Sequence, residues 1–103
     1  MKEKLLKIIN HYGVMTQLKY FQSEIFELNE AIINAEYSGS QPLDEEVNHI
    51  AEEIADVFMM LKQFQYYYGI GVDDIEKVVD YKVKRQLERI EKENNLNNIN
   101  TEE

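Results

Sequence analysis

The 103-residue chain contains no cysteine, so it can form neither a disulfide framework nor a thiolate metal site. It has one proline, and no alternating apolar run is bounded by turn residues as a strand would be. The start lacks the apolar core of a signal peptide, and no apolar run approaches the roughly 20 residues that span a bilayer. We therefore expect a cytoplasmic, all-α protein with no membrane partner.

Basic residues are also scarce, since 11 lysines and arginines stand against 20 acidic residues, for a formal net charge of −9. This balance argues against nucleic acid as a partner, because the electrostatic term would be repulsive. A small phosphorylated ligand remains compatible with the charge if a metal ion and a few local lysines or arginines bind it.

The helical periodicity predicts four helices, at about residues 2–11, 16–36, 45–68 and 74–93. Thr16 and Asp44 are candidate N-caps. The segment YSGSQPLD carries the proline and reads as the loop between the second and third helices. Because this loop is short, we expect these helices to be antiparallel neighbours in a four-helix bundle. We assign residues 1–93 to one domain and residues 94–103 to a polar, flexible tail.

Apolar residues at alternating steps of three and four predict that the second and third helices pack through facing stripes. The stripes comprise Leu18, Phe21, Ile25, Leu28, Ile32 and Ala35 on one helix and Val47, Ile50, Ile54, Val57, Leu61 and Phe64 on the other. A further stripe of Phe26, Ile33 and Tyr37 predicts an interface between copies of the chain, because so small a chain covers little of its apolar surface alone.

Two acidic pairs with the same pattern mark a candidate site: Glu24 with Glu27, and Glu53 with Asp56. Residues three apart are neighbours on a helix, so each pair directs two carboxylates the same way. Asp56 interrupts the apolar run from Ile54 to Leu61, and we expect it to be partly buried. Four converging carboxylates repel one another, and hard oxygen ligands suit Mg²⁺ or Mn²⁺.

The fourth helix supplies candidate phosphate ligands. Lys82 lies on its apolar stripe, and Arg85 lies at the edge of that stripe. Such side chains can also cover apolar surface with their stems while the charged ends reach water. A metal held by the acidic cluster would also bind the phosphates of a substrate. We therefore interpret Lys82 and Arg85 as substrate-binding residues.

These residues resemble the signature of the MazG-like all-α nucleoside triphosphate pyrophosphohydrolases, which is E-x-x-E, a spacer and E-x-x-D. Glu24, Glu27, Glu53 and Asp56 match it, and the resemblance extends from Gln17 to Arg89. It implies a homodimer or dimer of dimers in which the four acids are both metal ligands and catalytic residues. It also implies attack of water on the α-phosphate of a nucleoside triphosphate, which releases a monophosphate and pyrophosphate, with possible clearance of non-canonical nucleotides as the role.

Two other interpretations stay open. Glu46 and His49 form an E-x-x-H pair of the kind found in di-iron bundles, although the second pair that such a site needs is absent. His49, one turn before Glu53, could also support a metal ligand. The second interpretation is a non-catalytic helical dimerisation or regulatory module, which would form a dimer but would have no reason to respond to Mg²⁺.

Overall fold

The computed structural model describes residues 1–37 and 39–102, with side chains described as far as residue 98. Within this part of the chain the protein is all-helical and has no strand. The helices are α1 (Lys2–Tyr12), α2 (Val14–Tyr37), α3 (Asp44–Tyr67) and α4 (Val72–Glu102). Among the described residues, no helix combines the length and apolar character needed to cross a membrane. Ser38 and Glu103, which we assigned to the loop and the tail, lie outside the described residues.

Glycines end α1 and follow α3 because the backbone takes a left-handed turn at both places. Gly13 has φ of 91° and donates its N–H to the carbonyl of Ile9 at 2.8 Å. Gly69 has φ of 66° and donates to the carbonyl of Tyr66. Residues with a Cβ rarely adopt such φ values, so glycine lets the chain leave each helix without strain.

The predicted helix beginnings are wrong in detail. α2 begins at Val14, which places Thr16 inside its first turn rather than at the N-cap. The N-cap of α3 is Leu43, and Asp44 is the first helical residue. Here the Glu46 carboxylate accepts a hydrogen bond from the Leu43 N–H at 3.0 Å. An acidic side chain three residues into the helix therefore satisfies a free backbone donor, as in half of a capping box.

The contacts divide the chain into two compact units, Met1–Gly69 and a second unit that starts at Ile70. In the first unit α3 packs against both α1 and α2. Leu5 and Ile9, four residues apart on α1, are buried, and so are Ala31 and Ala35 on α2 and Met60 on α3. Phe21 and Phe64 meet edge to face with ring centroids 5.5 Å apart, which joins α2 to α3.

The buried face of α2 and α3 differs from the predicted stripes. Ala35 is buried and Phe21, Leu28, Ile50, Val57 and Phe64 are partly buried. The remaining members are exposed: Leu18, Ile25, Ile32, Val47, Ile54 and Leu61. In their place Gln17, Glu24, Glu53 and Gln63 are buried. Both helices are thus rotated so that the flank carrying the acids turns inward, which leaves part of each apolar stripe uncovered.

The second unit contains α4, which is longer than the sequence predicted. The helix begins at Val72 and continues to Glu102, through most of the segment that we assigned to a polar tail. Helix propensity does not exclude this, because asparagine and glutamate are tolerated in helices and proline and glycine are absent after Gly71. Every side chain described on α4 is exposed, including Val79, Val83 and Leu87.

Candidate metal centre

Three of the four predicted carboxylates lie together in the first unit. One carboxylate oxygen from each of Glu24, Glu27 and Glu53 lies within 4.8 Å of the other two. Glu24 and Glu27 come from adjacent turns of α2, and Glu53 comes from α3, so packing of the two helices completes the group. The acidic group therefore depends on tertiary structure and is not a property of one helix.

Two of these side chains are buried without full hydrogen bonding. Glu24 is 5% exposed and Glu53 is 9% exposed, whereas Glu27 is exposed to solvent. The Oε2 atoms of Glu24 and Glu53 are both buried and have no hydrogen-bond partner. A buried, unpaired carboxylate oxygen is unfavourable unless a proton or a cation compensates its charge. The arrangement therefore fits a group of hard oxygen ligands for a divalent cation.

Electrostatics at Glu24 reflect this crowding. Burial raises the pKa of the Glu24 carboxyl, and the charges of Glu27 and Asp56 raise it further. A hydrogen bond from the Tyr20 side chain acts in the opposite direction on the pKa of Glu24. The Glu24 charge in turn raises the pKa of the Tyr20 phenol, as does that hydrogen bond.

Glu53 has a different neighbour. Burial raises the pKa of the Glu53 carboxyl, and so does the charge of Glu27, while His49 lowers it. The His49 Nε2 atom lies 3.9 Å from Glu53 Oε1, and the His49 side chain is 58% exposed. This separation is too long for a hydrogen bond, so His49 acts on Glu53 through charge and only when it is protonated.

Asp56 is partly buried, as predicted. It is not one of the three side chains that meet within 4.8 Å, although its charge contributes to the raised pKa of Glu24. The fourth predicted ligand therefore lies next to the close group rather than inside it.

The other candidate residues are not members of the group of three carboxylates. Glu46 accepts the hydrogen bond that caps α3, so its carboxylate already has a local structural role. Lys82 and Arg85 lie on α4, in the second unit, where both side chains are exposed.

The apolar pattern did not predict a buried polar contact that joins α2 to α3. Gln17 Nε2 donates to Gln63 Oε1 at 2.9 Å, and Gln63 Nε2 donates to the Met60 sulfur at 3.6 Å. These buried residues and Tyr20 line a cavity of about 380 Å³, which is completed by Ile8, Tyr12, Thr16 and Met59. Tyr20 therefore lines this cavity, and it also lies one turn before Glu24 on α2.

Sequence reasoning did not identify Tyr20 as a site residue. The available signal was its spacing, since a residue four positions before Glu24 lies one turn earlier on the same face of α2. Spacing alone could not distinguish this tyrosine from the other six in the chain.

Comparison of the chain with known protein families, with curated proteins and with solved structures gives no match. The interpretation of the site therefore depends on its own geometry and on the residue pattern in the sequence.

Proposed function

We propose that this protein is a Mg²⁺-dependent nucleoside triphosphate pyrophosphohydrolase of the MazG-like kind, which cleaves a nucleoside triphosphate to a monophosphate and pyrophosphate. The observation that carries the proposal is the pair of buried, unpartnered oxygens on Glu24 and Glu53, with a Glu27 oxygen in the group. Three carboxylates held this close need a proton or a cation to compensate their charge, and their oxygens are the ligands that Mg²⁺ and Mn²⁺ prefer.

The proposed roles of the acids follow from position and charge, and those of Lys82 and Arg85 follow from charge and from the resemblance. Glu24, Glu27 and Glu53 hold the cation, and Asp56 contributes a further ligand or the negative charge that keeps the cation bound. When bound, Mg²⁺ supplies charge stabilisation to the phosphate groups that react. One of the acids orients the water that attacks the α-phosphate, and Lys82 and Arg85 bind the triphosphate through their exposed cationic ends.

The proposal includes an antiparallel packing of α2 and α3 and self-association into a homodimer or dimer of dimers. The pairs Gln17 with Gln63 and Phe21 with Phe64 support the first, since both join the beginning of α2 to the end of α3. Exposed apolar side chains support the second: Phe26 is 67% exposed, and Ile33, Tyr37, Ile54 and Leu61 are also exposed. Apolar surface of this extent is typical of an interface.

The same exposed apolar side chains favour a second candidate function, a non-catalytic helical dimerisation or regulatory module. Both candidates predict a dimer, so the oligomeric state does not distinguish them. They differ in metal dependence, because a module that only associates has no use for two buried, uncompensated carboxylate oxygens.

The test measures stability and products with one preparation of protein. A ligand that binds only the folded state stabilises it by about 2.7 kcal/mol at a concentration 100 times its Kd. For a chain of this size, we therefore expect saturating Mg²⁺ to raise Tm by about 10 °C or more. With a panel of canonical, deoxy and damaged nucleoside triphosphates, the product should be pyrophosphate.

Each of the other outcomes would indicate a different function. Release of orthophosphate alone would indicate a general phosphatase. An unchanged Tm at millimolar Mg²⁺, together with no product from any triphosphate, would contradict the proposal and favour the interaction module.

A further inference from the structure

One side of α4 carries a continuous row of exposed apolar residues. Its members are between 38% and 60% exposed. Three of them, Val79, Val83 and Leu87, line one open groove of about 360 Å³ with Lys82 and Gln86, so they share a face of the helix. We name the whole row the α4 seam, and it comprises Val72, Ile75, Val79, Val83, Leu87 and Ile90.

The spacing of the α4 seam is the same in both directions. Successive members are 3, 4, 4, 4 and 3 residues apart, so the row is symmetric about Tyr81. Two copies of the helix placed antiparallel about Tyr81 therefore have an apolar residue opposite an apolar residue at every step. The pairs are Val72 with Ile90, Ile75 with Leu87, and Val79 with Val83. An interface with a two-fold axis requires this self-matching, because residue i contacts j and residue j contacts i.

The charges of α4 favour the antiparallel direction. Residues 72–80 contain four acids and one lysine, a formal charge of −3, and residues 82–90 contain four basic residues and one acid, a formal charge of +3. An antiparallel pair about Tyr81 places the acidic half of each helix beside the basic half of the other. A parallel pair would place like charges together, which is unfavourable.

The length of α4 makes such a partner necessary. Most of the stability of a helix in a protein comes from packing of its apolar face. In this 31-residue helix, every side chain that the structure describes is exposed, so that contribution is absent. A second copy of α4 supplies it, since the copy matches both the apolar row and the charges.

We propose that the α4 seam is an interface between two copies of the chain, which pair their α4 helices antiparallel about Tyr81. The inference rests on the self-association in the proposed function and assigns to it a surface other than the stripe of Phe26, Ile33 and Tyr37 on α2. It does not depend on metal binding or on the reaction.

The test uses single spin labels, because the chain has no cysteine of its own. Lys77→Cys and Asn95→Cys each provide one exposed attachment point on α4. The two positions are 18 residues apart, which is about five turns, so both labels leave the same side of the helix, away from the seam. Each chain carries one label, so any dipolar coupling measured by pulsed electron paramagnetic resonance joins two copies.

The two labelled positions distinguish the direction of pairing. An antiparallel pair about Tyr81 separates the labels along the helix axis by about 12 Å at position 77 and by about 42 Å at position 95. A sideways separation common to both positions adds to each, so we expect the distance at position 95 to be longer by roughly 20 Å. Equal distances at the two positions would indicate a parallel pair and would reject the inference.

Val83→Glu tests the seam itself, because it places a charge at the centre of the apolar row. It should abolish the coupling at both labelled positions. Tyr81→Glu is the matched control, since Tyr81 is 63% exposed on the same helix but lies on the side opposite to the seam. The control should keep both distances. Loss of coupling in both variants, or in neither, would reject the α4 seam as the interface.

Light scattering and the response to Mg²⁺ separate failure of this inference from failure of the proposed function. A dimer whose labels show no coupling at either position would reject the α4 interface and leave association through α2 in place. A monomer at micromolar concentration would reject the α4 interface together with the self-association in the proposed function. The expected distances in a protein whose Tm does not respond to Mg²⁺ would support the α4 pairing and contradict the proposed function.

Discussion

The acidic segments of α2 and α3 share one pattern in sequence but differ in their surroundings. Each has an acid, an isoleucine, a spacer, a second acid and an apolar residue, over residues 24–28 and 53–57. The first acid of each segment is buried and has an unpartnered oxygen. The second acids differ, since Glu27 is exposed and belongs to the close group, while Asp56 is partly buried and does not.

The neighbours one turn earlier differ as well. Tyr20 lies one turn before Glu24, whereas His49 lies one turn before Glu53 and affects it through charge. In these two similar segments the first acids are alike in burial and in having an unpartnered oxygen, whereas the second acids differ in both exposure and position. The comparison teaches that a repeated pattern predicts that the two segments converge, but not which of their acids join the close group.

The strongest test of equivalence is removal of each buried acid in turn. We expect Glu24→Gln and Glu53→Gln each to reduce the rate of pyrophosphate release on the order of 100-fold or more, because each removes a ligand from a group of three. Steady-state release of pyrophosphate with saturating Mg²⁺ measures this effect. Glu30→Gln, at an exposed position of α2, is the control and should retain activity.

A large loss in only one of the two glutamine variants would break the comparison, since the two first acids would then have different roles. Activity near the wild-type value in both variants would reject the acidic group as the catalytic site.

A smaller effect is expected at Asp56, which lies next to the close group. Asp56→Asn should lower turnover about tenfold, or about 1.4 kcal/mol in barrier, because the cation loses a nearby negative charge. The metal-free protein should be as stable as wild type or more stable, since Asp56 repels Glu24. Thermal unfolding and pyrophosphate release check the two parts.

Glu45→Gln, an exposed acid at the start of the same helix, is the matched control for Asp56→Asn. Turnover within about threefold of wild type in Asp56→Asn would sharpen the comparison, because it would reduce the site from four functional carboxylates to three.

The smallest expected effect is the pH dependence of the metal-free protein. Folding raises the pKa of Glu24 and Glu53 above the ordinary value of 4.5. Between the ordinary and the raised pKa the folded state binds more protons than the unfolded state. The stabilisation is therefore present at low pH and is lost as pH rises through the folded pKa.

We accordingly expect Tm to rise as the pH falls from neutral toward the ordinary pKa of 4.5, measured with a chelator present. The double variant Glu24→Gln/Glu53→Gln should lose most of this pH dependence. An unchanged slope in the double variant would show that the pH dependence arises elsewhere in the chain.

Sequence reasoning predicted the helical class, the approximate extent of α1, α2 and α3, and the convergence of Glu24, Glu27 and Glu53. It succeeded because helix periodicity relates positions three and four apart, and because glycines and a proline mark the ends of helices. It was wrong about the extent of α4, since a polar composition does not by itself prevent a helix from continuing.

By itself, the sequence determined that the chain is helical and that each acidic pair lies beside the apolar stripe of its own helix. Tertiary structure alone decided the rotation of α2 and α3 that buries Gln17, Glu24, Glu53 and Gln63 and leaves Ile25 and Ile54 exposed. The physical reason is that packing depends on the joint fit of side chains from two helices, including the contact between Phe21 and Phe64. The apolar stripe of a single helix carries no information about that fit, and the same packing brings Glu24 and Glu27 together with Glu53.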